Sequence, residues 1–222
     1  NNKHGFSYSP LQEGIRLFRT SGGSATSPQY DTAGGTWLQP TTSDAIAFSG
    51  VGYLTGYYYY LSQNGEVPVG LIQAAVSGTG INLWVPNDAF DYDPDLKRMD
   101  TSKTHYNHMI APWTNYTVGH VLWYQGENDS PHSKNYEKAL TKYVQSYREN
   151  FDNDLNFIVV MLPVYDAVKG YNSRTRQFWT VREGQWNITK HMDDVETAVT
   201  IDTGSIGSVH PGSKDKVGYK AS

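Results

Sequence analysis

Two short blocks hold the residue types from which an acyl-transfer site can be built. Gln125-Gly126-Glu127-Asn128 ends the apolar run Val118–Tyr124, and His210-Pro211 lies in a glycine- and serine-rich loop near the end of the chain. A glutamate behind a histidine holds the ring and stabilises its imidazolium, while Gln and Asn side chains can donate to an oxyanion. The same four residues would equally make a strand-to-helix turn that caps the next helix. A third block, Ser77-Gly78-Thr79-Gly80, closes another apolar run. Glycine there lets a backbone N–H approach a reacting oxygen, although an ordinary turn has the same composition. The neighbours Ala75-Val76-Ser77-Gly78-Thr79 are not a G-x-S-x-G elbow, and no Gly-Lys-Ser/Thr follows to make a phosphate loop.

Other candidates are weaker. Asp91-Tyr92-Asp93-Pro94-Asp95 starts like a calcium loop but has Leu96 where glycine is needed and Ser102 where an acid is needed, so it reads as a solvated loop. His105 and His108 lack further ligands at metal-site spacing, and His4, His120, His132 and His191 read as structural or exposed. No metal site is expected. Arg182-Glu183 sits in a helical stretch, where it could reach a substrate or form a surface charge pair. Asn115, Asn128 and Asn187 each begin a glycosylation sequon, which matters only in a eukaryotic secretory host.

The elements that must position these residues follow from periodicity. Val51, Leu54, Tyr57, Tyr58 and Leu61 recur at helical spacing, with Gly65 as the stop. Val67–Val76, Val118–Tyr124 and Asn156–Leu162 are buried-strand runs; Ala198–Ile201 is predicted as a fourth, ending at Asp202. Ser133–Phe151 is the clearest helix, with Tyr136, Leu140, Tyr143, Val144 and Tyr147 on one face, and Phe178–Ile188 is a second. The first forty residues, rich in Gly, Ser and Thr, read as loop and edge structure around a short strand-like run, Gly14–Phe18. Strands alternating with helices mean an α/β domain whose parallel sheet is covered on both faces, with ligands beyond the carboxyl ends of the strands.

Composition narrows the function classes. The 222 residues carry a net charge of −4, so there is no basic footprint for nucleic acid. No 18-residue apolar run exists to span a membrane. The absence of cysteine excludes disulfides, thiolate metal sites and a thiol nucleophile. Charged residues are only 18% and aromatics 14%, with 21 glycines and 17 tyrosines, a neutral aromatic-rich composition that suits neutral sugars.

Taken together, four stretches resemble a known family. They are Phe48–Tyr53 through Val67–Ile72 to Ser77-Gly78-Thr79 and Trp84; Tyr106–Pro112 leading into Val121–Asn128; Trp179 with Arg182-Glu183-Gly184-Gln185; and Thr200–Gly204 with Val209-His210-Pro211 and Lys216-Val217-Gly218. The chain resembles the sialate O-acetylesterase and acetylxylan-esterase type of carbohydrate esterase in the SGNH hydrolase superfamily, over roughly residues 14 to 221. The resemblance implies a three-layer α/β/α sandwich and cofactor-free serine-esterase chemistry on acetylated glycans or sialic acid. It implies His210 as general base, Glu127 as its acid, Gly78 and Gln125 as oxyanion donors, and Asn128, Arg182 and Trp84 as substrate contacts.

Two departures from the family accompany it. Many relatives place an aspartate three residues before the histidine, where this chain has Gly207; Asp202 stands eight residues back. The family's Gly-Gln-Ser-Asn or Gly-Asp-Ser nucleophile motif does not occur, so the serine is expected upstream of Asn1. Ser77 is the internal alternative. On this reading residues 1–222 form one domain lacking its nucleophile strand and its last helix, completed by another segment or a second chain. The alternatives are a non-catalytic carbohydrate-binding domain on the same fold and a glycosidase using Glu127 with an acid such as Asp202. An extracellular or cell-surface bacterial location is expected.

Overall fold

The computed structural model describes residues 12–32, 34–96, 103–151, 155–165, 173–205, 208–210 and 212–222. Asn1, His4, Ser102, Gly207 and Pro211, named above, lie outside the described residues.

Among the described residues five strands form, and each pairing between them is parallel. β1 (Ile15–Arg19) pairs with β2 (Val69–Gln73). β3 (His120–Trp123), β4 (Asn156–Val160) and β5 (Val195–Ala198) make a second sheet in that order. The near-continuous apolar sequence of β4 reflects cover on both faces. Phe157 and Val159 point into the larger core with Tyr143 and Val181, whereas Val160 packs with Val51, Ala198 and Val217. Among the described residues, no strand pairs with the second edge of β2 or with the edge of β3 opposite β4.

The helices form the two outer layers. α2 (Gly50–Ser62) is capped by Ser49, whose Oγ accepts the Gly52 N–H at 3.1 Å, and stops just before Gly65. It lies over both sheets. Tyr53 packs with Ile15 and Leu17 of β1, and Val51 with Val160 and Ala198. α5 (Asp215–Lys220) lies against α2, and a Cβ at Gly218 would fall 2.4 Å from Leu54 Cβ. On the opposite face, α3 (Tyr136–Phe151) buries the predicted stripe Tyr136, Leu140, Tyr143, Val144 and Tyr147 beside α4 (Ser173–Asn187). α3 begins three residues later than the pattern predicts because Ser130–Asn135 is a 3-10 segment kinked at His132. The short α1 (Thr42–Ala47) carries a Thr41/Asp44 capping box. Among the described residues no helix is long and apolar enough to cross a membrane.

Two sequence expectations are corrected. The strand expected at 198–201 lies at Val195–Ala198, in register with Phe157–Val160, and Ile201–Thr203 is a 3-10 turn. Past Ala198 the backbone leaves the ladder, although the Val164 N–H still donates to Ile201 O at 3.1 Å, and Ile201 is exposed. Gly14–Phe18 is more than edge structure: Ile15 and Leu17 of β1 are core residues, and only the outer edge is bordered by loop, where Leu17 and Leu38 exchange 2.9 Å backbone bonds.

Candidate active site

The loops after β2 and β3 meet at the carboxyl ends of the strands, where the topology directs ligands. Gln125 is the hub. Its Nε2 donates to Thr79 O at 3.1 Å and to Asp129 Oδ2 at 2.5 Å. Its Oε1 accepts from Tyr136 Oη at 3.2 Å, and its backbone carbonyl accepts from both Tyr136 Oη and Gln185 Nε2 at 2.9 Å. Gln185, fully buried on α4, also accepts the Leu162 N–H at 2.9 Å, which reaches the end of β4. Trp123 Nε1 donates to Tyr136 Oη at 3.2 Å. The Gln125 and Gln185 side chains together therefore tie the loops after β2, β3 and β4 to α4 and to the first turn of α3. Buried polar groups with complete partners rigidify a core; left incomplete they destabilise it.

Gly126 makes this arrangement possible. Its φ of +142 is left-handed backbone, and a Cβ would stand 2.7 Å from Val181 Cγ1. The tight approach lets α4 close over the block and brings Arg182 to the end of β4, where its Nη1 donates to Pro163 O at 3.4 Å.

The sequence candidates fare differently. Gly78 has φ +73, is exposed, and has open space where a Cβ would be. Among the described residues its N–H has no partner, so it is free to donate. Gln125, the other expected oxyanion donor, has both of its N–H donors directed at Thr79 O and Asp129 Oδ2. Trp84, the expected substrate contact, lies inside the core. It is only 4% exposed, its ring sits between His105 and Trp123, and its Nε1 donates to Thr79 Oγ1 at 2.9 Å. Asn128 is exposed beside Gly80. Ser77 is exposed, and among the described residues no histidine or carboxylate bonds to it.

Glu127 is half-buried, and loss of hydration raises its carboxyl above the ordinary glutamate range. The Lys214 ammonium works against that rise, and Asp129 adds to it. Lys214 is itself pushed down by burial, with its charge 5.4 Å above the Tyr124 ring. The His210 ring is exposed. Its backbone is held by Ser208, whose Oγ accepts the His210 N–H at 3.1 Å, while Val209 anchors the loop on the larger core. Among the described residues the His210 ring bonds to neither Glu127 nor any other acid. Asp202, the acid of the glycosidase alternative, is paired on the surface with Lys220 at 2.5 Å. Asp93 and Asp95 hold Lys138 at 2.8 and 2.9 Å. Among the described residues no group of three or more His, Cys, Asp or Glu could hold a metal ion.

The match to known proteins spans this whole constellation. A family model described as "carbohydrate esterase, sialic acid-specific acetylesterase" matches residues 35–214. The chain belongs to this carbohydrate esterase family. It is 25% identical to a sialate O-acetylesterase of Rattus norvegicus over 94% of the chain and 49% of that protein. The corresponding protein of Mus musculus is 26% identical over 83% of the chain and 44% of its own length. The crystal structure of a carbohydrate acetylesterase from Xanthomonas citri superposes with a TM-score of 0.84 at 25% identity, covering 95% of this chain and 48% of that one. The chain thus spans about half the length of the relatives it matches.

Within this esterase framework the sequence left three residues unassigned: Asp129, Tyr136 and Gln185. Asp129 adjoins the Glu127 block, Tyr136 read as part of an apolar stripe, and Gln185 is a fully buried amide on a helix. A polar residue at a core position is the signal that could have found the last two.

Proposed function

We propose that the chain forms the core of a carbohydrate O-acetylesterase acting on acetyl esters of sialic acid or another glycan through a Ser-His-Glu mechanism. The observation that carries the reading is the free Gly78 N–H, held beside the Gln125–Glu127 block at the carboxyl ends of parallel strands, in a chain of this family. In the proposed reaction His210 takes the proton from the serine hydroxyl as the serine oxygen attacks the acetyl carbonyl. The Gly78 N–H stabilises the oxyanion, and His210 returns the proton to the departing sugar oxygen. Water then repeats the sequence on the acetyl-serine and releases acetate. In this reading Glu127 is the acid that stabilises the imidazolium.

The serine, in this proposal, arrives on a strand from a segment preceding Asn1 and inserts between β2 and β3. Support comes from the two edges that stay unpaired among the described residues and from the apolar side chains Leu71, Ile72, Val121 and Leu122, which are only half-buried on strands that lie inside a helix-covered sheet. Unpaired edges next to partly exposed apolar strands favour the addition of a strand.

The test uses the full-length protein and measures acetate release from O-acetylated sialic acid and from acetylated xylan. His210→Ala should remove nearly all turnover, because triad members act as a unit. Unchanged turnover in that variant overturns the proposal. Glycan binding without acetate release by the wild type would select the non-catalytic alternative, and cleavage of an aryl glycoside but not an aryl acetate the glycosidase.

A further inference from the structure

Asp129 is 4% exposed and stands where the two site loops touch. Its Oδ2 accepts the Ile81 N–H at 2.9 Å and the Gln125 Nε2 at 2.5 Å. Its Oδ1 lies 3.1 Å from where a Cβ of Gly80 would be, so the absence of a side chain at residue 80 makes room for the carboxylate. Gln125 passes the constraint on to Thr79 O. Thr79 is also held through its side chain, donating to Val76 O at 2.8 Å and accepting from Trp84 Nε1 at 2.9 Å. The loop after β2 is thus pinned at Thr79 and Ile81, while Ser77 and Gly78 stay exposed. A free N–H on a rigidly anchored loop is a preorganised donor. A free N–H on a loose loop would have to be ordered anew in each transition state.

We propose that Asp129 is a positioning residue that fixes the direction of the Gly78 N–H, acting through the Ile81 amide and the Gln125 side chain. The inference rests on the esterase reading above, in which that N–H meets the oxyanion. An asparagine at 129 can set its single oxygen where Oδ2 stands and keep both bonds, so it is the conservative variant. An alanine would remove both bonds.

The experiment measures kcat and KM of the full-length protein for an aryl acetate, with near-UV circular dichroism to fix the folded fraction. Asp129→Ala should lower kcat about 10- to 100-fold per folded molecule, as a misplaced reacting group does, with KM changed less than about threefold. A merely structural role would reduce the folded fraction and leave kcat per folded molecule unchanged, and that result overturns the proposal. If Asp129→Ala does not fold, Gly80→Ala gives the second measurement, since its Cβ would press on Asp129 Oδ1 and on Asn82 Oδ1 at 2.7 Å. A lower kcat with unchanged KM supports the inference, and wild-type kcat overturns it. His210→Ala run in parallel separates the two levels. Loss of turnover there with wild-type kcat in the Asp129 and Gly80 variants refutes the positioning role alone, while activity in His210→Ala refutes the esterase reading itself.

Discussion

Replacing Gln185 by leucine tests whether the buried network holds the site together. Gln185 is fully buried, donates to the Gln125 carbonyl at 2.9 Å and accepts the Leu162 N–H at 2.9 Å. Leucine has similar bulk, so little cavity forms and the cost is mainly polar. The Gln125 carbonyl keeps its bond from Tyr136 Oη and loses a second donor, at about 0.5–1.5 kcal/mol. The Leu162 N–H is left buried without its acceptor, at about 1–3 kcal/mol. The sum is about 1.5–4.5 kcal/mol, or a melting midpoint lower by about 3–18 °C at 2–4 °C per kcal/mol for a domain of this size. Thermal unfolding followed by near-UV circular dichroism measures it. Gln185→Glu separates the two bonds, since it can still accept from Leu162 but cannot donate to Gln125 when ionised. A midpoint for Gln185→Leu within about 2 °C of wild type would refute the claim that this amide ties β3, β4 and α4 together.

Two further outcomes are expected. Burial raises the Glu127 carboxyl in the folded state, so its contribution to stability is fully present below the unfolded pKa and is lost as pH rises through the folded one. Glu127→Gln should therefore gain stability relative to wild type as pH is raised from about 4 towards 8, and a difference in midpoint that stays flat or falls would show that the group is not desolvated. Gly218→Ala should destabilise the α2–α5 contact, because its Cβ would meet Leu54 Cβ at 2.4 Å and backbone of Leu54 and Thr55 just beyond. Forced overpacking of this kind costs about 1–3 kcal/mol, read as a lower denaturation midpoint, and an unchanged midpoint would mean that α5 moves freely.

Much of the frame is local and was legible. The apolar runs that became β2, β3 and β4 and the aromatic stripe of α3 follow from side-chain period, which a sequence displays directly. The placing of Ser77–Gly80 and Gln125–Asn128 at strand ends follows from that alternation and from the rule for parallel sheets. β1 was under-read because a five-residue strand in a polar, glycine-rich stretch has a weak pattern. What makes it a strand is pairing with β2, more than fifty residues away.

The roles of the site residues depended on contacts that no local pattern carries. Gln125 and Trp84 have the chemistry to meet substrate, and composition cannot say that one has spent its donors and the other is walled in by rings. Asp129 reaches Ile81 across 48 residues of sequence, and Gln185 reaches Gln125 across 60. The sequence alone determined which residue types stand at the carboxyl ends of the strands, because periodicity and strand length are properties of neighbours. Which of those residues face each other and which face solvent was decided only by the tertiary structure, because hydrogen-bond partnership and burial are set by the crossing of elements far apart in the chain.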